Sequence, residues 1–402
     1  MVRLEHGRAR RRPLGIRIPR RDPGARGMAE LFRKPAPRHR FSLPRVAFAA
    51  GIARNIGVVL AAAPLVLVSH AARADEGGSS FWTPGAFASL AATPMEPGLT
   101  MTAIYYRPSV SSGKEVAQAE RVRIRGRPAQ LSSVTDENTS TTKDQGMVTP
   151  TYTLATPVLG GQANVSVTAV YSTNTSILNE IRGARLSAGS VTALSILKET
   201  TRDTVTGFGD MSPQVSLRWN AGFHNIMTYA TGNIPVGLYN PSSLANIGIG
   251  HGALDGGVGY TYFDEQAGRE FSAVAGLTYN FLNPYTQYQN GVDFHLDWAA
   301  SQFFYKNLQI GLVGYTYNQL TCDSGSGNSV GCFASQVASI GAQLGYTLSM
   351  GDIDANVNFR GYQEFAAANR PEGWNLWMTL TLSPAASSSK TTATKRGRPI
   401  GQ

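Results

Sequence analysis

Cysteine is almost absent from this chain: two residues in 402, too few for a disulfide-built scaffold. Charge is scarce as well. Asp, Glu, Lys and Arg make up 15% of the sequence, against about 25% in typical soluble domains. Apolar runs are short. The longest, Ile56 to Val68, has 13 residues and contains Pro64, below the roughly 20 that a membrane-spanning helix requires. Histidine is sparse too, and only His224, His251 and His295 follow residue 74. His295 has carboxylates beside it in Asp293 and Asp297, but no Ser partner can be picked out, so a nucleophilic site lacks a part. No enzymatic activity, cofactor or metal is expected.

What is plentiful is glycine, with 43 residues, together with 16 Tyr and 16 Phe. Abundant Gly and aromatics with little charge exclude a disordered chain or a helical bundle and point to β-structure with many turns. The formal charge of +10 would by itself suggest a nucleic-acid or acidic-membrane partner. Its distribution removes that reading. Residues 1–74 hold 16 basic and 3 acidic residues, whereas residues 75–402 hold 20 and 23. The body is slightly acidic, and no nucleic-acid partner is expected.

The basic part has the form of an export signal. Arg45 and Arg54 precede the apolar run, and Ala72-Arg73-Ala74 follows it, so a secretory signal with cleavage after Ala74 is expected. The alternative is a buried helix of the mature fold. Residues 1–45 are long for a basic n-region, and Met28 is an alternative start to Met1. The mature chain then divides into a periplasmic or plug segment at 75–97, a barrel at 98–384, and a disordered basic tail at 385–402.

Two-residue alternation dominates after residue 97. Val292, Phe294, Leu296, Trp298 and Ala300 interleave with Asp293, His295, Asp297 and Ser301. Ile353, Ala355, Val357, Phe359 and Gly361 interleave with Asp354, Asn356, Asn358, Arg360 and Tyr362, then Glu364. Phe271, Ala273, Ala275 and Leu277 interleave with Glu270, Ser272, Gly276 and Thr278. Val215, Leu217 and Trp219 interleave with Gln214, Ser216 and Arg218. In a strand such sets face opposite sides. A soluble sandwich also alternates, but here the strands are long enough to cross a bilayer and carry charges in mid-strand.

Candidate strands are 98–107, 147–158, 162–173, 207–219, 223–235, 250–263, 269–281, 286–303, 307–320, 333–348, 352–364 and 372–383. Every second connection is tight: Val158 to Gly161, Asn220 to Gly222, Asp264 to Gly268, Phe304 to Lys306, and Ser349 to Gly351. The intervening ones, 108–146, 174–206, 236–249 and 321–332, are long loops, with 282–285 the short exception. Short turns on one side and long loops on the other describe an outer-membrane barrel. The expectation is therefore an all-β, transmembrane, antiparallel up-and-down barrel of 12 strands. Fourteen result if 120–133 or 180–198 adds a pair. Boundary aromatics, among them Tyr105-Tyr106, Tyr260, Tyr279 and Trp374, suit interface girdles.

Several motifs resemble one family. They are Thr83 to Pro94 (TPGAFASLAATP) with Pro97-Gly98 and Tyr105-Tyr106, Thr206 to Asp210 (TGFGD), Tyr229 to Gly237 (YATGNIPVG) and Asn246 to His251 (NIGIGH). Tyr279 to Phe281, Asn290-Gly291 and Asp293 to Asp297 (DFHLD) continue the likeness over roughly residues 80–385. Together they resemble the "MetA-pathway of phenol degradation" family of SphA-like outer-membrane transporters. The resemblance implies a Gram-negative outer-membrane channel for aromatic or other hydrophobic compounds, with membrane lipid and the barrel-assembly machinery as further partners. One departure is that such barrels commonly end on a terminal aromatic, whereas here 20 residues follow Leu382.

Asp293, His295 and Asp297 are expected to line the lumen, either as part of an ordinary hydrated charge network or as a site that steers a solute or pairs with Arg218 and Arg360. Asp354, Arg360, Glu364 and Arg218 are lumen-lining by the same alternation, either constricting the pore or forming structural salt bridges. Cys322 and Cys332 flank a flexible spacer in an exported loop and are expected to form a disulfide. Two other functions compete with transport: a structural or adhesive barrel acting through Ser/Thr-rich loops, and a lipid-active barrel enzyme using His295.

Overall fold

The computed structural model describes residues 80–385 apart from 125, 126, 329, 330 and 333. The signal segment, the Ala74 cleavage point and the tail beyond 385 lie outside the described residues.

Thirteen strands follow in order: β1 (Gly98–Ile124), β2 (Arg127–Thr153), β3 (Gln162–Ala188), β4 (Val191–Phe208), β5 (Ser212–Ala221), β6 (His224–Asn233), β7 (Ala253–Asp264), β8 (Arg269–Asn280), β9 (Asp293–Phe304), β10 (Leu308–Gln319), β11 (Gln336–Met350), β12 (Ile353–Ala368) and β13 (Glu372–Pro384). Each pairs antiparallel with its neighbour, and β1 pairs with β13 from Met101↔Leu382 to Ser111↔Glu372. The ring thereby closes without an edge. β4 and β5 both pair with β3 and are separated only by Gly209, Asp210 and Met211, so they share one place in a barrel of 12 strands. The tight turns fall where the sequence puts them: Val158 and Gly161 exchange backbone hydrogen bonds, and Asn220 folds back on both backbone groups of Gly222.

The long connections come out differently. The stretches 108–146 and 174–206, expected as loops, continue β1, β2, β3 and β4 as strand. They add no new place to the ring, so the 14-strand alternative does not hold. Their Thr- and Ser-rich composition reads as loop, but Thr is β-branched and suits a strand. Cross-strand hydroxyl pairs, Thr141–Ser176, Thr173–Thr206 and Thr175–Thr204, join the extended strands. Two portions, Val116–Thr135 and Gly183–Ile196, make a second compact unit, in which Ala129, Ala184 and Leu186 are buried among Val122, Leu131, Ala188 and Ala193. The start of β9 also moves, from the expected 286 to Asp293, because Asn283, Tyr288 and Gln289 bond into a loop first.

In the barrel unit the usual distribution of polarity is inverted. Leu254, Val258, Leu277, Leu312, Leu344 and Leu380 are exposed, whereas Asp255, Thr278, Asp293, His295, Asp297 and Asn375 are buried. An apolar outside and a polar inside suit a barrel in lipid, where every backbone group is paired within the closed sheet.

Candidate functional site

The segment from Ser80 to Pro97 lies inside the ring. It contains no strand or helix, so its backbone groups need side-chain partners wherever they are buried. The barrel wall supplies them. Asp297 accepts the Gly85 amide on one oxygen at 2.9 Å and the Phe87 amide on the other at 3.0 Å. Arg360 donates to the Gly85 carbonyl at 2.9 Å. Glu270 accepts from the Leu90 amide at 3.0 Å and from the Ser89 hydroxyl at 2.8 Å. Thr261 accepts the Ala92 amide, and Arg218 donates to the Ala91 carbonyl. Gln162 binds both the amide and the carbonyl of Met95, and Gln343 donates to the Ser89 hydroxyl. These side chains come from β3, β5, β7, β8, β9, β11 and β12, which stand around the ring, so the segment crosses the interior.

Gly85 cannot be replaced without strain. Its φ is +86°, and a Cβ there would stand 3.2 Å from Tyr362 and 3.3 Å from Tyr315. Both conditions select glycine.

An aromatic cluster occupies the next level. Tyr229, Gly257, Gly276 and His295 are aligned across four adjacent strands. The two glycines leave a trough in which the Tyr229 ring lies. A Cβ on Gly257 would stand 2.8 Å from that ring, and one on Gly276 would stand 2.3 Å from its hydroxyl. The Tyr229 hydroxyl thereby reaches His295 Nε2 at 3.3 Å. The same nitrogen lies 2.9 Å from Asp255 Oδ2, which also accepts from Thr278. Trp82 of the inserted segment stacks on His295 with ring centres 3.7 Å apart and planes 12° from parallel. Phe87 packs against both Trp82 and Tyr229.

Of the lumen candidates, Asp297, Arg218 and Arg360 are brought together around the segment, and His295 beneath its Trp82. The direct pairing of Asp297 with Arg218 or Arg360 does not occur among the described residues: backbone groups of the segment stand between them. Asp293 binds Asn280 at 2.8 Å. Glu364 accepts from the Tyr315 hydroxyl and the Gly373 amide, which places it toward the other end of β12 from Asp354. Asp354 is half-buried and holds no described contact with the segment.

Glu270, Asp255, Tyr229 and Gln343 were not singled out from sequence. Glu270 stands on the polar side of an alternating strand and was legible there. Asp255 was hidden by the run of glycines around it, which blurs the alternation of Leu254, Val258 and Tyr260.

Three further features bound the site. Asp210, in the break between β4 and β5, accepts from the Gly237 and Ile249 amides and from Asn233, and so folds the connection between β6 and β7 onto the wall. Cys322 and Cys332 are joined, beside Asp323, which accepts from Tyr288, Gly291 and Gln319. At the tight-turn end, Thr93 and Pro94 meet Asn220, Phe223, Asn225 and Phe263 around a cavity of about 530 Å³. One Gly-x-Ser-x-Gly stretch, Gly327 to Gly331, falls in the loop between β10 and β11. Its Ser329 and Val330 lie outside the described residues.

A family model described as "Putative MetA-pathway of phenol degradation" matches residues 132–380. A comparison with curated proteins finds no match. Among solved structures, the chain is similar to the COG4313 outer membrane channel from Pseudomonas putida F1, with 11% identity, a TM-score of 0.48, and coverage of 75% of this chain and 98% of that one. It is also similar to a Pseudomonas aeruginosa FadL homologue, with 10% identity, a TM-score of 0.29, and coverage of 78% and 96%.

Proposed function

The chain belongs to the MetA-pathway of phenol degradation family, and on that premise we propose that it is an outer-membrane channel for passive uptake of small hydrophobic or aromatic compounds. The closed ring with an apolar exterior supports the membrane part of this reading, because only helices and closed barrels satisfy the backbone within lipid. The observation that carries the transport part is the inserted segment. Wall side chains just fill the interior of a barrel of about eight strands, and 12 strands enclose a wider space. Here the wall presents carboxylates and guanidinium groups to a separate piece of chain, which is the arrangement of a pore with a plug.

Solutes would move down their gradient, passing the segment and the aromatic cluster, and Asp297, Glu270, Arg218 and Arg360 would set how tightly the plug is held. The interior that remains is narrow, which limits passage to small molecules.

The test is initial uptake of labelled phenol and toluene by intact cells of a deletion strain. Uptake is expected to fall on deletion and to return when the full-length gene is restored, while glucose uptake is unchanged. Equal aromatic uptake with and without the gene would remove the proposal.

A further inference from the structure

Trp82 is the one large side chain of the inserted segment whose polar atom is buried without a partner. Its Nε1 makes no hydrogen bond among the described residues, and neither do His295 Nδ1 or Asp255 Oδ1. All three side chains are almost wholly buried: Trp82 at 6% exposure, His295 at 0% and Asp255 at 4%. Buried polar atoms are normally paired, and each that is not costs stability. Three such atoms around one stacked ring form a slot that is filled in shape but unsatisfied in hydrogen bonding.

The hold on Trp82 is also lopsided. From Gly85 to Met95 the segment is tied to the wall by charged and amide side chains. Ahead of Gly85 the described hydrogen bonds are local, from the Ser80 hydroxyl to the Trp82 carbonyl and from the Ala86 amide to the Thr83 carbonyl. The indole itself is held by stacking on His295 and by contact with Phe87 and Tyr229. It can therefore leave without breaking the ties that fix the rest of the segment.

We infer that Trp82 is a displaceable occupant of a slot for aromatic solutes, and that His295 and Asp255 favour rings bearing a hydroxyl group. The slot is flat, since His295 forms its floor and stacks at 3.7 Å. Asp255 lies at the rim of that floor, 2.9 Å from the imidazole Nε2. A ring stacked in place of the indole brings a hydroxyl substituent next to the free carboxylate oxygen, to which it donates. An unsubstituted ring of the same size fills the slot but leaves that oxygen unpaired. Discrimination then follows from the buried acceptor, as it does wherever a site is built to bind a hydroxyl. Trp82 reduces apparent affinity by competing for the slot, as a conformation populated against binding does.

This inference rests on the transport reading above and is tested apart from it by equilibrium binding. Phenol and toluene are titrated calorimetrically into the full-length protein purified in detergent, with heat-modifiable gel mobility confirming the barrel. Trp82→Ala is expected to bind phenol about tenfold more tightly than the unaltered protein, and to prefer phenol over toluene. Trp82→Ala with Asp255→Leu, which removes the acceptor and keeps the His295 floor, is expected to lose that preference. If the second variant does not fold, Trp82→Ala with Asp255→Asn supplies the same comparison. Equal phenol binding with and without Trp82, or no preference for phenol over toluene, overturns the inference. Tighter binding in Trp82→Ala supports it even if cells show no gene-dependent uptake, a result that would sink the transport reading alone. Gene-dependent uptake with unchanged binding would sink the slot alone.

Discussion

Asp297 and Arg360 hold the two ends of one residue. Asp297 takes the amide of Gly85 and Arg360 its carbonyl, each at 2.9 Å, from strands three places apart in the ring. Opposite charges inside a narrow barrel would ordinarily neutralise each other directly. Here they are kept apart by Gly85, whose N–H donates to the carboxylate while its C=O, in the next peptide unit, accepts from the guanidinium. Charge-assisted bonds of this kind are roughly twice as strong as neutral ones.

Replacing Asp297 therefore frees the segment. Asp297→Ala leaves the buried Gly85 amide unpaired, at about 1–3 kcal/mol, and the half-buried Phe87 amide without its protein partner. Planar-bilayer recordings are expected to show a larger and noisier conductance than in the unaltered protein. Asp293→Ala, four residues away on the same strand, removes a bond to Asn280 instead and is expected to leave conductance near the original. Equal effects of the two would contradict the assignment of Asp297 as the anchor.

Gly276→Val is expected to disturb the aromatic row and not the barrel as a whole. Its side chain would collide with the Tyr229 hydroxyl and the His295 ring, and overpacking of this sort costs about 1–3 kcal/mol. The midpoint of heat-induced loss of fast gel mobility should fall. Tyr229→Leu, which empties the trough, should recover part of it when combined with Gly276→Val. No recovery would mean that the clash lies elsewhere.

Asp210→Ala removes the acceptor for Gly237, Ile249 and Asn233 together. Limited proteolysis of whole cells or of purified protein should then cut within 236–249, where the parent resists. Asp210→Asn, which keeps part of the acceptor, is expected to be intermediate.

The disulfide acts on a different loop. Closing a loop with a sequence separation of 10 stabilises by about 2–3 kcal/mol in the chain-entropy model. Cys322→Ser with Cys332→Ser should raise protease sensitivity between β10 and β11 and leave the barrel's gel mobility unchanged. Loss of the barrel in this variant would show that the bridge supports more than its loop.

On the outer face, Leu344→Arg is expected to lower the yield of assembled barrel, since Arg near the bilayer midplane costs about 2–4 kcal/mol. Gln343→Arg, one residue earlier, turns into the lumen, and the heat-modifiable fraction should fall far less. Similar losses would contradict the facing assigned to β11.

The barrel was legible in the sequence because alternation has period two and a strand cannot slip by one residue without exposing its polar face. That constraint fixed the places of β5 to β13, where Asp293, His295, Asp297 and Arg360 each stand opposite an apolar neighbour. It failed where both faces are polar. The long extensions of β1 to β4 have Thr and Ser on either side, so alternation carries no signal there and composition suggests a loop. The contacts of the inserted segment were hidden for another reason. Asp297 and Gly85 are 212 residues apart, and no local pattern indicates that one backbone will meet one carboxylate across a closed sheet.

The inserted segment also constrains the order in which the protein can mature. It runs directly into β1, the strand whose pairing with β13 closes the ring. Yet its partners Asp297, Gln343 and Arg360 belong to β9, β11 and β12, among the last parts of the barrel to be synthesised. Its binding place is therefore incomplete while the sheet is open, and the backbone groups from Gly85 to Met95 stay hydrated until the seam forms. Settling of the segment reports that β12 has taken its correct register, because a shift of that strand by one residue would turn Arg360 outward. The same ties that restrict the pore thus give the newly folded barrel a means of reading its own completion.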